Sequence, residues 1–256
     1  MVESSVNDKI ANMNYIGQKT PKEAADFLIK HDIVDHADFG KITDMELIND
    51  WSAALFDSIQ KYPKLRESMR FTGAMQSQVD MAVKSLADDL VDYYKSNGYS
   101  EREAIKIAMK EAIESAPKAD GMAWTWNPRG SNGEYYNAGG IAFNESREGI
   151  CSNYIKEEIE SGFWAKAKKD VSYIINHEIG HQLDHLLNLQ SDTEIVSLYK
   201  HLKTNNKIIN GVSGYANTDI EEFIAECWAE FKGSKNPRKY AKFVGERIIE
   251  RYNEIN

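Results

Sequence analysis

The sequence predicts an α+β fold that is mostly α, with a small sheet. Helix start signals recur along most of the chain, whereas strand-like segments are confined to about 69–74 and 122–144. No internal repeat of solenoid spacing is present in the sequence. Hydrophobic residues make up 42% of the 256 residues, which is enough to form a core.

Helices dominate the first half of the chain. Thr20 precedes Pro21, and Glu23 follows at the capping-box position, so a helix is predicted to begin here. Ser100 and Glu103 form a second capping box. The predicted elements of this half, in order, are a helix at 21–31, a helix at 43–60, a strand at 69–74, a helix at 78–96 that Gly98 closes, and a helix from Ser100 that Pro117 stops.

The second half begins with the sheet and returns to helices. Residues 122–126 and 140–144 are predicted strands on either side of a loop rich in Gly, Asn and Pro. Helices are predicted from Trp164 onward, with start signals at Ser191 with Glu194, at Asp219, and at Asn236 with Pro237. We expect a helical N-terminal lead-in at 1–42 and one larger domain at 43–256, because the first segment is short and polar.

Charge and hydropathy limit the classes of partner. The net charge of -9 repels the phosphates of nucleic acid and an anionic membrane surface, so neither is expected as a partner. The N-terminus has no signal-peptide pattern and no apolar run reaches membrane-spanning length, which makes the cytoplasm the default location. Release by a non-classical route, or association with a virion, stays open. Cys151 and Cys227 do not indicate a disulfide framework.

A metal-binding pattern occurs at 177–181, which read HEIGH. In this HExxH pattern His177 and His181 lie one helical turn apart and can share one Zn²⁺, while Glu178 serves as general base. The alternative is a pair of ordinary surface histidines on an amphipathic helix. The helix itself is predicted independently, by an apolar stripe at Val171, Ile175, Ile179, Leu183 and Leu186.

A catalytic zinc site usually has three protein ligands, so a third must come from elsewhere in the chain. Glu222, on the helix that Asp219 starts, is the candidate for a His₂Glu site, and Asp219 is the rival ligand. Glu226, four residues later on the same face, is placed to accept a hydrogen bond from a metal-bound imidazole. Taken alone, Glu222 fits better as a capping residue and Glu226 as a solvated charge; the incomplete HExxH site changes that assignment.

Two further residues lie on the HExxH helix. Asp184 follows His177 by seven residues and shares its face, so it is either a hydrogen-bond partner of the metal site or a solvated charge. His185 lies two turns after His177, and three ligands in a row along one helix do not easily converge on one ion. We therefore expect His185 to be a partly buried side chain rather than a ligand.

The stretch from His177 onward resembles the anthrax lethal factor and Pro-Pro endopeptidase family of gluzincin-type zinc metallopeptidases. The resemblance is carried by HEIGHQLDH at 177–185 and SGYANTDIEEFIAECWAEF at 213–231. It implies a zincin-like domain over 43–256, with His177, His181 and Glu222 as zinc ligands and Glu178 as the base. It also implies that Tyr215, seven residues before Glu222, supports the oxyanion.

A substrate-binding strand is expected near this helix. HExxH peptidases usually hold an extended substrate by main-chain hydrogen bonds to an edge strand that precedes the motif helix. The candidate strand is Ile141, Ala142, Phe143 and Asn144, and the alternative is that this is an interior strand.

These expectations predict a zinc-dependent endopeptidase that carries one Zn²⁺ per chain and acts on a peptide or protein substrate. Peptide bonds would be hydrolysed by metal-activated water with Glu178 as general base. The alternative function is a non-enzymatic accessory or structural protein of a phage or mobile element that keeps the zincin fold.

Overall fold

The computed structural model describes residues 14–118, 121–127 and 137–255. Within these ranges the chain is mostly helical with a four-stranded mixed sheet, which confirms the predicted α+β class. Its residues group into two units. Among the described residues, the sheet unit comprises those within 18–48 and 66–146, and the site unit comprises 14–17, 49–65 and 147–255. No helix in the described ranges is both long and apolar enough to cross a membrane.

Helices and strands are numbered here in chain order. The first group is α1 Pro21–Lys30, β1 His36–Asp38, α2 Met45–Lys61, β2 Phe71–Ala74, α3 Met75–Ser96, α4 Glu101–Ser115, β3 Ala123–Trp126 and β4 Gly140–Phe143. The second group is α5 Cys151–Ser161, α6 Ser172–Leu187, α7 Thr193–Thr204, α8 Ile208–Gly211, α9 Ile220–Gly233 and α10 Lys239–Glu254. Short 3₁₀ turns lie at Pro63–Glu67, Glu145–Ile150, Leu189–Ser191 and Tyr215–Asn217.

Side-chain caps begin several of the helices. The Thr20 side chain accepts a hydrogen bond from the N–H of Glu23, and Ser100 forms its capping box with Glu103, both as predicted. The start of α7 differs from the prediction by one residue. Asp192, rather than Ser191, is the cap, because its carboxylate accepts from two backbone N–H groups of the first turn.

The strands of the sheet lie in the order β1-β2-β4-β3. β1, β2 and β4 are parallel, and β3 runs antiparallel to β4. The strand β4, which contains Ile141, Ala142 and Phe143, is therefore paired on both sides, and the N–H of Asn144 donates to Met122 O at 2.9 Å. The prediction that 141–144 form an edge strand for substrate is wrong, because its main-chain groups are already paired. The edges of the described sheet are β1 and β3.

The predicted lead-in at 1–42 does not form a unit of its own. β1 pairs with β2 from His36 to Asp38, and residues 18–42 group with the sheet unit, whereas the described residues before them, 14–17, group with the site unit. Close strand contact also explains Gly140, whose φ is +145°. A Cβ at this position would lie 2.0 Å from the carbonyl oxygen of Phe71, so glycine is required here.

Two helices of the site unit, α6 and α9, pack directly against each other. Gly180 lies where they cross: a Cβ at Gly180 would lie 2.7 Å from the Cα of Ala225. Both helices are buried on most sides, including the α6 face that carries the histidines. α6 ends at Asn188, which adopts the left-handed conformation common at helix C-termini.

Candidate metal centre

His177, His181 and Glu222 come together in the site unit. The histidines lie one turn apart on α6, and Glu222 lies in the first turn of α9. Asp219 starts α9, because its side chain accepts a hydrogen bond from the N–H of Glu222 at 2.9 Å. One potential ligand atom from each of the three residues lies within 4.8 Å of the others, so the set can hold a metal ion.

The three potential ligand atoms form a tight triangle. His177 Nε2 lies 3.1 Å from His181 Nε2 and 3.1 Å from Glu222 Oε2, and the third side measures 3.5 Å. Glu222 Oε2 is buried and receives no hydrogen bond of proper geometry from the described residues. A buried carboxylate oxygen that lacks a hydrogen-bond donor and lies beside two imidazole nitrogens is suited to bind a cation. The three side chains are 10%, 14% and 17% exposed, so each keeps some contact with solvent.

The imidazoles and the carboxylate shift each other's pKa. Burial by itself raises the pKa of Glu222, but the imidazoles of His177 and His181 outweigh burial and hold that pKa well below its usual range. Burial lowers the pKa of His177, whereas Glu222 and Glu226 raise it by more, so this pKa stands well above its usual value. A metal ion binds the neutral imidazole and the ionised carboxylate, so metal binding to these side chains is linked to their protonation.

Glu226, one turn further along α9, is fully buried and orients His177. Its Oε1 lies 3.0 Å from His177 Nδ1 and accepts a hydrogen bond from the Tyr173 hydroxyl. Its Oε2 accepts from the N–H of Ala165 at 2.7 Å and from the Ser213 hydroxyl at 2.6 Å. These partners offset the desolvation of the carboxylate. His177 is thereby held with Nδ1 toward Glu226 and Nε2 toward His181 and Glu222, which is the contact predicted for Glu226.

Tyr215 lies beside the same centre, in the 3₁₀ turn before α9. Its hydroxyl donates to Glu222 Oε1 at 2.9 Å, and its ring stacks on His177 with the centroids 5.7 Å apart. Burial and then the Glu222 carboxylate raise the pKa of this phenol well above its usual value. The hydroxyl therefore stays protonated and remains a hydrogen-bond donor at the edge of the centre.

Glu178 is buried next to the ligands. It follows His177 in α6 and is 6% exposed. Burial and Glu222 contribute most to the raised pKa of Tyr215, and the charge of Glu178 adds to them. The Glu178 carboxylate therefore lies within electrostatic reach of the phenol.

The remaining candidates lie outside the triangle. Asp184 is buried, but its carboxylate accepts its hydrogen bonds from Gln190, from the N–H at 3.2 Å and from the side-chain amide at 2.8 Å. The predicted contact of Asp184 with the metal site is corrected accordingly: Asp184 ties the end of α6 to the following turn. His185 is exposed, so the expectation that it is partly buried is wrong. Asp219 acts as the cap of α9 rather than as a ligand.

Sequence reasoning does not identify the donors that hold Glu226. Tyr173 lies four residues before His177, a spacing that places the two on one helix face and is the available signal. Ser213 and the N–H of Ala165 belong to connecting segments, which carry no periodic pattern. Gly180 is also overlooked, although a glycine inside a helix can indicate close approach of another backbone.

No protein-family model, curated protein or solved structure matches the chain. The functional assignment therefore depends on the two sequence motifs and the geometry of the site.

Proposed function

We propose that this chain is a zinc-dependent endopeptidase of the HExxH type. The observation that carries the proposal is the convergence of His177 Nε2, His181 Nε2 and the buried Glu222 Oε2 on one position. The proposal includes a zincin-like fold and membership of the lethal factor and Pro-Pro endopeptidase family, supported by the two motifs and by the packing of α6 on α9.

The spacing of the potential ligand atoms supports zinc as the metal. Bonds of about 2.0–2.1 Å in tetrahedral geometry separate two ligand atoms by roughly 3.3–3.4 Å. The sides of the triangle, 3.1, 3.1 and 3.5 Å, bracket that value. Two imidazoles and one carboxylate are also a typical ligand set of catalytic zinc, which keeps a fourth position for water or substrate.

The residues around the centre have distinct roles in the proposed reaction. A bound zinc ion would supply Lewis-acid activation of water and of the scissile carbonyl. Glu178 accepts a proton from the attacking water and transfers it to the leaving amine. Tyr215 donates a hydrogen bond to the carbonyl oxygen as negative charge develops there. Glu226 fixes the orientation of His177 throughout.

Elemental analysis of the purified protein tests the metal assignment. One equivalent of zinc is expected in the wild type and in Glu221→Ala, a matched control because Glu221 is an exposed neighbour on the same turn. Zinc should be lost in His177→Ala and Glu222→Ala. Zinc retained in Glu222→Ala would exclude Glu222 as the third ligand, and a wild type without zinc would contradict the proposal.

Glu178→Gln tests catalysis separately from metal binding. The variant should keep one equivalent of zinc, since Glu178 is not in the ligand triangle, and should lose roughly 10²–10⁴-fold in kcat on a peptide library because the base is removed. Cleavage by Glu178→Gln at the wild-type rate would exclude this residue as the base. A zinc-loaded wild type that cleaves no peptide would favour the non-enzymatic alternative.

A further inference from the structure

Phe163 is an exposed aromatic side chain held beside the metal centre. It lies between α5 and α6, and its side chain is 44% exposed. Its ring packs against that of Tyr215, with centroids 5.5 Å apart and planes tilted by 32°. Because Tyr215 stacks on His177 in turn, a continuous row of rings leads from the surface to a candidate ligand.

The backbone around Phe163 is tied to the segment that carries Tyr215. The N–H of Gly214 donates to Gly162 O at 2.9 Å, and the N–H of Tyr215 donates to Phe163 O at 2.8 Å. Two residues after Phe163, the N–H of Ala165 donates to the carboxylate that orients His177. The backbone that carries the exposed ring is therefore restrained by several hydrogen bonds. This restraint lowers the conformational entropy that the segment loses when a ligand binds to the ring.

We propose that Phe163 and Tyr215 form an apolar wall of the substrate site, which binds an aromatic or large aliphatic side chain next to the scissile bond. The inference rests on the proposed peptidase function and adds a substrate preference to it. An aromatic side chain gains offset or edge-to-face contacts with the exposed ring and removes its surface from water. An acidic side chain at the same place loses hydration and is repelled by the Glu222 and Glu178 carboxylates, whose charges act on Tyr215.

A structural role for Phe163 would give a different result. If the ring served to cover Tyr215, its removal would disturb Tyr215 and the Glu222 carboxylate that Tyr215 contacts. Zinc affinity would then fall, and any preference among ligand side chains would stay unchanged. Zinc affinity and ligand preference must therefore be measured on the same variants.

The test uses two metal-chelating probes that differ in their side chain, phenylalanine hydroxamate and glycine hydroxamate. Calorimetric titration of the zinc-loaded wild type should show about tenfold tighter binding of the phenylalanine probe, or about 1.4 kcal/mol. Phe163→Ala should reduce the ratio to about threefold or less while keeping zinc affinity, and Phe163→Tyr should retain the ratio. Phe243→Ala is the matched control, because Phe243 is a 38% exposed phenylalanine on α10 of the same unit.

The outcomes separate this inference from the proposed function. Equal binding of the two probes by the wild type, or an unchanged ratio in Phe163→Ala, would overturn the role of Phe163 and leave the peptidase proposal intact. A wild type that binds no zinc would overturn both. A Phe163-dependent ratio in a zinc protein that cleaves no peptide would support the apolar wall and contradict the peptidase function.

Discussion

At the scale of single residues, Glu226 shows how a buried charge can orient a candidate metal ligand. A carboxylate without solvent contact is costly unless its lone pairs are satisfied, and each oxygen of Glu226 has two partners. Burial, followed by the charge of Glu226, raises the pKa of Tyr173 well above its usual value, so this phenol remains a donor. Oε2 of the carboxylate is thus held by Ala165 and Ser213, and Oε1 contacts both Tyr173 and the His177 imidazole that it orients.

Glu226→Gln should weaken zinc binding by about 10–100-fold, in the range found when such outer contacts are removed. The amide replaces one carboxylate oxygen, which has two hydrogen-bonding partners, by an NH₂ group that cannot accept a hydrogen bond. The side chain can therefore no longer bind its protein donors and orient His177 at the same time. Competition with a chromogenic chelator measures the affinity. Glu221→Gln, which also removes one acidic charge from the first part of α9, is the control. A loss no larger than that of the control would mean that Glu226 does not orient the ligand.

At the scale of elements, the candidate metal centre depends on how closely α6 approaches α9. The two candidate ligands on α6 lie close to Glu222 because no side chain separates the helices at Gly180. Gly within a helix costs about 1 kcal/mol relative to Ala, so the close contact at this position outweighs helix propensity.

Gly180→Ala should destabilise the protein by about 1–3 kcal/mol, because the new methyl meets the backbone of Ala225 rather than a movable side chain. Widening of the helix pair should also separate Glu222 from the histidines and lower zinc affinity. Urea unfolding and chelator competition measure the two effects. Gly149→Ala is the control, since a Cβ at Gly149 meets nothing within 4 Å. Equal stability and affinity in the two variants would show that the helices do not need this contact.

A second contact between elements joins the start of α7 to α10. The buried carboxylate of Asp192 caps α7 and pairs with Arg247 at 2.8 Å. Burial alone would raise the pKa of Asp192, but hydrogen bonds from Arg247 and from the first turn of α7 outweigh it, so the pKa is lowered. A carboxylate with a lowered folded-state pKa stabilises the fold above its unfolded-state pKa, and this contribution disappears as pH falls through the folded-state value.

Asp192→Asn should lower the free energy of unfolding at pH 7 by about 1–3 kcal/mol, because the amide keeps the helix cap but loses the charge that binds Arg247. The difference from wild type should shrink below about pH 4, where the carboxylate begins to be protonated in the unfolded chain. Denaturant unfolding at several pH values measures the difference in unfolding free energy between the wild type and Asp192→Asn. Glu194→Gln, a 55% exposed carboxylate 4.0 Å from Arg247, should change stability by less than about 1 kcal/mol. A difference independent of pH would contradict the ion-pair explanation.

At the scale of the whole molecule, metal binding and folding are linked through the site unit. All three candidate ligands belong to this unit and come from two helices distant in sequence, so the complete ligand set exists in the folded state. Any ion that binds there stabilises the folded unit by mass action.

Removal of the metal should therefore lower the thermal stability of the protein. Zinc at one hundred times its Kd should add about 2.7 kcal/mol to the free energy of unfolding, and a chelator should reverse the gain. Scanning calorimetry measures the shift in Tm, and hydrogen exchange should show lost protection in α6 and α9. His177→Ala provides the control and should respond to neither treatment. A wild-type Tm that changes with neither zinc nor chelator would contradict metal binding by these helices.

The sequence by itself determined the features that depend on short-range rules. Capping residues and helical spacing predicted the starts of α1, α4 and α9 and placed His177 and His181 on one face, because these patterns act within one or two turns. The HExxH spacing also required a third ligand, and Glu222 was the candidate that the structure brings to the histidines.

Tertiary structure alone decided the features that depend on contacts between distant segments. Strand pairing places β4 inside the sheet, between β2 and β3. The sequence of β4 predicts a strand but not its position in the sheet, because that position depends on pairing with two other segments of the chain. The donors to Glu226 come from Ala165 and Ser213, which are 61 and 13 residues away in the chain. Asp184 accepts a hydrogen bond from Gln190 and does not contact the candidate metal site. Helix periodicity predicts the face on which a residue lies, but it does not predict which other segment packs against that face.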